Sequence, residues 1–332
     1  MTSAAPAGPA LSVVLPYWLD RPALEALEIA RGADAAGYAS LWAGEMMTFD
    51  AFALATAIAR ETSLRITVGP LAIGVRTPAS LALGAASVAA LGGRVCDLAL
   101  GASTPLVVSG WHGRELNAPV AAMRETVAIL RQLIAGERTS FGGRHVRSHG
   151  FRMAGALPAD TTITIAAFGK NMLALAAELA DRVVVNLVTP AQVARTRETI
   201  DRVARASGRS ALPLAAWIPV AVCPGPAAWE QLVRQLVVYV GAAGYGEMFA
   251  EAGFGDVVAL ARSGVHPRDV AQAIPRELAC SIGAIGTLPE VCQRLREYAA
   301  AGASEIGIVP VTADDNAGAT LLPSLRRAMT NA

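Results

Sequence analysis

The sequence predicts an α/β chain closed into a (β/α)8 TIM barrel with insertions, and three observations lead there. Short apolar runs alternate with helical stretches eight times along the 332 residues, the rhythm of parallel strands covered by helices. No stretch rich in Gly, Ser or Pro divides the chain into two units. No GxGxxG follows the first strand and no GxxxxGK[ST] follows any, so a doubly wound sheet with a helical cap is the weaker alternative. Residues 1–10 are expected to be a disordered lead-in without the basic start and apolar centre of a signal peptide. Residues 11–332 are expected to form one domain, with insertions near 137–161 and 241–280.

The first strand is Leu11–Tyr17, followed by a helix over Pro22–Ala36 that Gly37 stops. The second is Ser40–Ala43, with Gly44 and Glu45 at its exit and Asp50 placed to cap the next helix. Arg65–Val68 and Val95–Leu100 are the third and fourth strands, around the small, apolar helix Ala79–Leu91. Gly69, Pro70 and Gly74 crowd the exit of the third strand, and Pro70 has no N–H to donate, so the pairing there must break or bulge. After the helix Ala118–Ala135, FGG within 137–161 suggests a small hairpin. Thr162–Ala167 and Arg182–Val188 are strands five and six, with helices at Asn171–Leu179 and from Pro190. Leu214–Val222 is strand seven, in which Pro219 implies a bulge or kink. A helical, irregular stretch reaches Cys280, and the helix Glu290–Ala301, the strand Glu305–Val309 and the helix Leu321–Met329 end the barrel.

The 28 basic and 27 acidic residues leave a net charge of +1, which gives no electrostatic reason to expect nucleic acid or a membrane surface as a partner. Every apolar run is interrupted before it reaches spanning length. Cys96, Cys223, Cys280 and Cys292 lack CxxC spacing and fall in expected strands or helices, so they read as buried free thiols of a cytoplasmic protein. There is no HExxH, nucleophile elbow, carboxylate pair or His/Cys cluster, and no metal is expected.

A barrel brings every strand exit to one mouth, and here that mouth is poor in titratable groups. A lining of backbone, small residues and aromatics suits a large flat cofactor that carries its own reactivity. Glu45 is the isolated carboxylate at a strand exit and the candidate acid or base, with helix capping as its plain alternative. Trp18 is a candidate to stack near a ring, and Trp111 and His112 are candidates to wall a substrate pocket. Lys170, the one lysine of the chain, stands at the exit of strand five, where helix-start N–H groups near Gly169 could hold an anion.

VGPLAIGVRTPASLALGAASVAALGGRVCDLALGAS, SFGGRHVRSHGFRM and IGTLPEVCQRLREYAAAGASEIGIVPV resemble, in that order, the bacterial luciferase-like superfamily. The texture of GASTPLVVSGWHG is most similar to its coenzyme F420-dependent oxidoreductases. The resemblance implies a homodimeric barrel with F420, or alternatively FMN, at the mouth, and hydride transfer to or from a small organic substrate. An FMN-dependent monooxygenase and a non-catalytic barrel that sequesters such a cofactor are the alternatives it leaves. It implies a non-proline cis bond at Leu71–Ala72 supporting the ring, with Gly101, Ala102 and Ser103 beside it. It also implies Ala166, Ala167, Phe168 and Gly169 along the ribityl–phosphate chain, and Asn186 at the phosphate. Two positions depart from the pattern: Gly44-Glu45 stands where several relatives carry Asp-His, and Thr189 where a Lys is expected.

Overall fold

The computed structural model describes residues 9–45, 47–115 and 117–330; the expected lead-in at 1–8 lies outside them. Eight parallel strands close on themselves: β1 (Ala10–Val14), β2 (Ser40–Ala43), β3 (Arg65–Ala72), β4 (Cys96–Gly101), β7 (Ile163–Ala166), β8 (Arg182–Asn186), β9 (Leu214–Val222) and β11 (Glu305–Pro310). Each pairs with the next, and β1 pairs with β11 to complete the ring. A short strand β10 (Ala284–Gly286) adds to the far end of β9. The expected barrel is therefore present, with boundaries shifted by a few residues. The largest shift is in β3, which resumes pairing beyond its bulge and runs to Ala72.

Helices α1 (Glu25–Ala35), α2 (Ala51–Glu61), α3 (Pro78–Gly92), α4 (Pro119–Ile134), α5 (Lys170–Leu179), α6 (Pro190–Ala206), α7 (Pro226–Val240), α12 (Leu288–Ala300) and α13 (Leu321–Thr330) accompany the ring. Alternation along the strands separates two apolar layers. Val13, Leu15, Leu41 and Ile66 pack outward against the helices. Val14, Trp42, Ala99, Val184 and Trp217 fill the interior, as the two-residue side-chain period requires.

The lower interior is polar. The Arg182 guanidinium donates to Glu305 Oε2 at 2.6 Å, to Thr67 Oγ1 at 2.9 Å and to Thr164 Oγ1 at 3.0 Å. Its Cζ lies 4.2 Å from the centre of the Trp42 ring. The Trp42 indole N–H and the Ser12 hydroxyl both donate to Glu305 Oε1, at 2.8 and 2.7 Å. A charge pair that deep is tolerable because each guanidinium nitrogen and both carboxylate oxygens have a partner.

The hairpin appears as β5 (Ser140–Gly142) and β6 (Arg147–His149), antiparallel. Glu125 of α4 ties it down by accepting the N–H groups of Arg144, His145 and Val146 at 3.0, 2.8 and 2.6 Å. His145 and His149 face water. The second insertion forms helices α8 (Tyr245–Phe249), α9 (Gly255–Arg262), α10 (Pro267–Ala273) and α11 (Arg276–Ile282), which gather round Phe249, Val270 and Leu278.

Two expectations are corrected in this framework. Pro219 makes no bulge in β9: the register against β11 is continuous, with Val309 opposite Pro219. It lies past the end of the β8 pairing and before that of β10, where a strand can spare an N–H. Cys96 and Cys292 are buried thiols, but Cys223 and Cys280 are exposed. Cys223 follows the end of β9 in a left-handed turn (φ 48°), so its side chain leaves the barrel wall.

Candidate active site at the barrel mouth

The exits of β3 and β4 form one side of the mouth. The β3–β4 register slips between Val68 and Leu71 and recovers with Ala72 opposite Gly101. Gly69 makes the slip possible: its φ is +122°, and a Cβ there would sit 2.2 Å from the carbonyl oxygen of Ala99. The expected cis bond at Leu71–Ala72 is corrected. That link is trans, and the cis peptide is Gly69–Pro70, at the tertiary amide where cis geometry is least costly.

Behind the bulge, a Cβ on Gly101 would lie 3.3 Å from Pro70 Cβ and 4.0 Å from Ala166 Cβ. Pro70, Gly101 and Ala166 therefore make a patch with little relief. Ala102 is half-buried, and Ser103 is exposed with a left-handed φ of 61°. Leu71 and Ala167 do not face the mouth, since both are buried in the outer apolar layer. Only their backbone is available to a ligand.

The start of α5 is open. Gly169 (φ 72°) precedes it without any side-chain cap, and Lys170 and Asn171 are exposed. At α6 the same position is taken: Thr189 Oγ1 accepts from the Gln192 N–H at 3.2 Å, and Gln192 Oε1 accepts from the Thr189 N–H at 2.9 Å. The missing basic residue at Thr189 is thus replaced by a capping box that closes this helix end. The uncapped N–H groups of α5 remain for an anion.

Phe168 and Asn186 join an aromatic wall. Phe168 stands 4.8 Å from the Tyr245 ring, and Tyr239 stands 4.7 Å from it. The Asn186 amide donates to the Tyr245 oxygen at 3.4 Å. Burial pushes both tyrosine phenols above their ordinary range.

Glu45 is not a free carboxylate. It accepts from Arg76 Nε at 3.0 Å and from Arg76 Nη2, and takes the Ala51 N–H at 3.2 Å. Arg76 also binds Asp50, which caps α2 through the N–H groups of Phe52 and Ala53. The capping alternative and the mouth position therefore hold together. Beside this cluster lies a cavity of about 570 Å³, lined by Glu45, Thr48, Arg76, Thr77, Ser80 and His112 among others. That volume is within the range of small-molecule sites.

Trp18 is buried, and its indole N–H donates to the Pro310 carbonyl at 2.8 Å, so it braces β1 against β11. Trp111 is 44% exposed and is absent from that lining. Arg76, Tyr239 and Tyr245 take part without having been singled out. Arg76 follows a strand already known to be irregular, so its position was a usable signal. The two tyrosines come from the α7–α8 region, where periodicity carries no information about which strand exit a helix will cover.

A parallel barrel with a flat, small-residue shelf, an uncapped helix start and an aromatic wall at one mouth is the frame of a flavin-type enzyme. The sequence profile of the luciferase-like monooxygenase family matches residues 8–305, and the chain belongs to that family. It is 27% identical over 337 aligned residues to a Mycobacterium tuberculosis protein named as a coenzyme F420-dependent oxidoreductase, covering 93% of this chain and 97% of that one. The fold matches an F420-dependent secondary alcohol dehydrogenase, solved with an F420–acetone adduct, at a TM-score of 0.82 and 16% identity, over 97% of this chain and 99% of the other. A riboflavin lyase solved with modified FMN matches at a TM-score of 0.76 and 12% identity, over 98% of this chain and 92% of the other.

Proposed function

We propose that this protein is an oxidoreductase that binds coenzyme F420 at the barrel mouth and moves a hydride between its deazaflavin ring and a small organic substrate. The observation that carries this reading is the pairing of a low shelf at Pro70, Gly101 and Ala166 with the uncapped start of α5. A flat ring and a phosphate need those two features, and the family relation supplies the type of molecule. When bound, the deazaflavin supplies two-electron hydride chemistry.

The chain's own share is placement and proton handling. The backbone of 71–72 and 101–103 would support the ring, and the N–H groups after Gly169, with Lys170, would take the phosphate. Asn186 would orient that chain, and the Phe168–Tyr245 wall would exclude water. Glu45, fixed by Arg76, is the carboxylate this reading assigns to proton handling. Its hydrogen bonds orient it at the edge of the 570 Å³ cavity, with His112 and Trp111 on the same side as candidate substrate contacts.

Titration of the purified protein with F420 and with FMN tests the cofactor. Tight binding of F420 and weak binding of FMN is expected, and the reverse order would favour an FMN-dependent monooxygenase. A panel of alcohols, aldehydes, imines and enones then tests turnover, and cofactor bound with no turnover on any would favour the sequestering barrel. Glu45→Gln should slow hydride transfer about 10²-fold and spare cofactor affinity; unchanged turnover removes Glu45 from the mechanism.

The reading includes a cytoplasmic homodimer joined through α3. Leu83 and Leu91 of that helix are 47% and 62% exposed, and the hairpin that could have covered them packs on α4 instead. Sedimentation at low micromolar concentration checks the dimer, and a clean monomer removes it.

A further inference from the structure

A second cavity, of about 360 Å³, lies between α4 and the end of α5 and is lined by Arg124, Arg131 and Arg209. It is remote from the mouth. Helix α5 starts at the exit of β7, and its last residues reach the opposite rim, where Asp181 Oδ2 accepts the N–H of Ile163 at the entry of β7 at 2.7 Å. Glu178 and Leu179, at that end of α5, complete one side of the cavity.

Each guanidinium is fixed along one edge and free along another. Arg209 Nη1 and Nη2 donate to the carbonyls of Ala177 and Ala180 at 2.9 and 2.8 Å. Arg131 Nη2 donates to the Leu179 carbonyl at 3.1 Å and to Asp181 Oδ1 at 2.8 Å. These bonds close the C-terminal end of α5. Arg124 Nη2 donates to Glu178 Oε2 at 2.6 Å. The Nε and Nη1 groups of Arg124 and Arg131, and Nε of Arg209, have no acceptor among the described residues. Arg209 has no carboxylate partner among them either, so three positive charges meet with two carboxylates between them. The surroundings add to that excess. From Pro119 to Arg152, α4 and the hairpin hold six arginines and two glutamates in a chain of net charge +1, so this stretch carries +4 and the rest of the chain −3. Arg144 and Arg147 are exposed, and the hairpin that carries them is tied to Glu125, the neighbour of Arg124. Such a face draws anions towards the cavity.

We propose that this cavity is a second ligand site, separate from the barrel mouth, that takes a diphosphate group. Planar guanidinium forks bind phosphate oxygens two at a time, and three of them match the several oxygens of a diphosphate better than the single edge of a carboxylate. The bonds to the end of α5 already hold Arg131 and Arg209 in place, so little freedom is lost on binding. The Arg124 and Glu178 side chains are 52% and 37% exposed; a pair so open to water contributes little, and Arg124 can exchange Glu178 for the ligand. Val127, Ala128 and Leu179 give the cavity an apolar floor, with room for an organic body attached to the diphosphate.

Calorimetric titration of the full chain with ADP and with pyrophosphate, at physiological ionic strength, tests this. Binding is expected: tighter binding of ADP identifies an organic diphosphate as the ligand, and equal affinities identify the free diphosphate. Arg124→Gln, which leaves the end of α5 bonded, should weaken binding about tenfold. Glu178→Gln, which frees Arg124 from its carboxylate, should tighten it about threefold. Both variants should keep the wild-type urea midpoint. Glu28→Gln, at an exposed position of α1 across the barrel, changes the net charge equally and should bind as wild type does. Saturating F420 should not compete. The proposal is overturned if neither probe binds, if Arg124→Gln binds as well as wild type, or if Glu28→Gln tightens binding as much as Glu178→Gln. Displacement of the probe by F420 would put the diphosphate at the mouth and overturn it too.

Discussion

At the scale of the residue, the barrel interior turns on one ion pair. The Arg182 and Glu305 side chains are 16% and 10% exposed; Arg182 also donates to Thr67 and Thr164, and Glu305 also accepts from Ser12 and Trp42. Removing one charge strands the other, which typically costs ~3–5 kcal/mol, whereas replacing both with apolar groups of similar size can be nearly neutral. Arg182→Met should therefore lower the urea midpoint strongly, and the double variant Arg182→Met/Glu305→Leu should recover most of it. Equal losses in the single and double variants would show that the pair is not coupled. Neither residue stands out in the sequence, where each merely begins a strand. The barrel gave them meaning by bringing residues 123 positions apart to within bonding distance.

At the scale of the element, the hairpin and the α2–α3 pair show two ways in which side chains set geometry. Burial raises the pKa of Glu125, but the N–H groups of Val146, His145 and Arg144 outweigh it and hold the carboxyl below its ordinary value. A carboxyl whose folded pKa is depressed contributes its stability above the unfolded value of about 4.3, and loses it as pH falls through the folded value. Hydrogen exchange of residues 144–146 should thus show full protection at pH 6 and loss of it below pH 4, after correction for intrinsic rates. Protection that persists at pH 3 would mean that strand pairing alone holds the turn. In the α2–α3 pair, a Cβ on Gly84 would lie 2.4 Å from the Phe52 ring. Gly84→Val should cost ~1–3 kcal/mol by overpacking, read as a lower urea midpoint.

At the scale of the whole molecule, accessibility of the thiols reports the closed barrel. Cys223 and Cys280 are exposed, while Cys96 and Cys292 are buried, and burial pushes the Cys96 thiol far above its ordinary range. A thiol reagent at neutral pH should modify Cys223 and Cys280 in the folded protein, and Cys96 and Cys292 only after denaturation. Rapid reaction of Cys96 would mean that the β3–β4 face opens.

The same scale explains how far the sequence could be read. Strand–helix alternation, the cap at Asp50, the helix start at Pro190, the hairpin and the break after Val68 are local, because each depends on side-chain period or on a side chain or backbone group close by in the chain. They determined the barrel and the irregular exit of its third strand. The partnership of Glu45 with Arg76, the inward Arg182–Glu305 pair, the outward burial of Leu71 and Ala167, and the tyrosines at the mouth were decided only by tertiary structure. Strand register and closure choose which distant side chains share a face, and a shift of one residue turns every side chain to the other side of the wall.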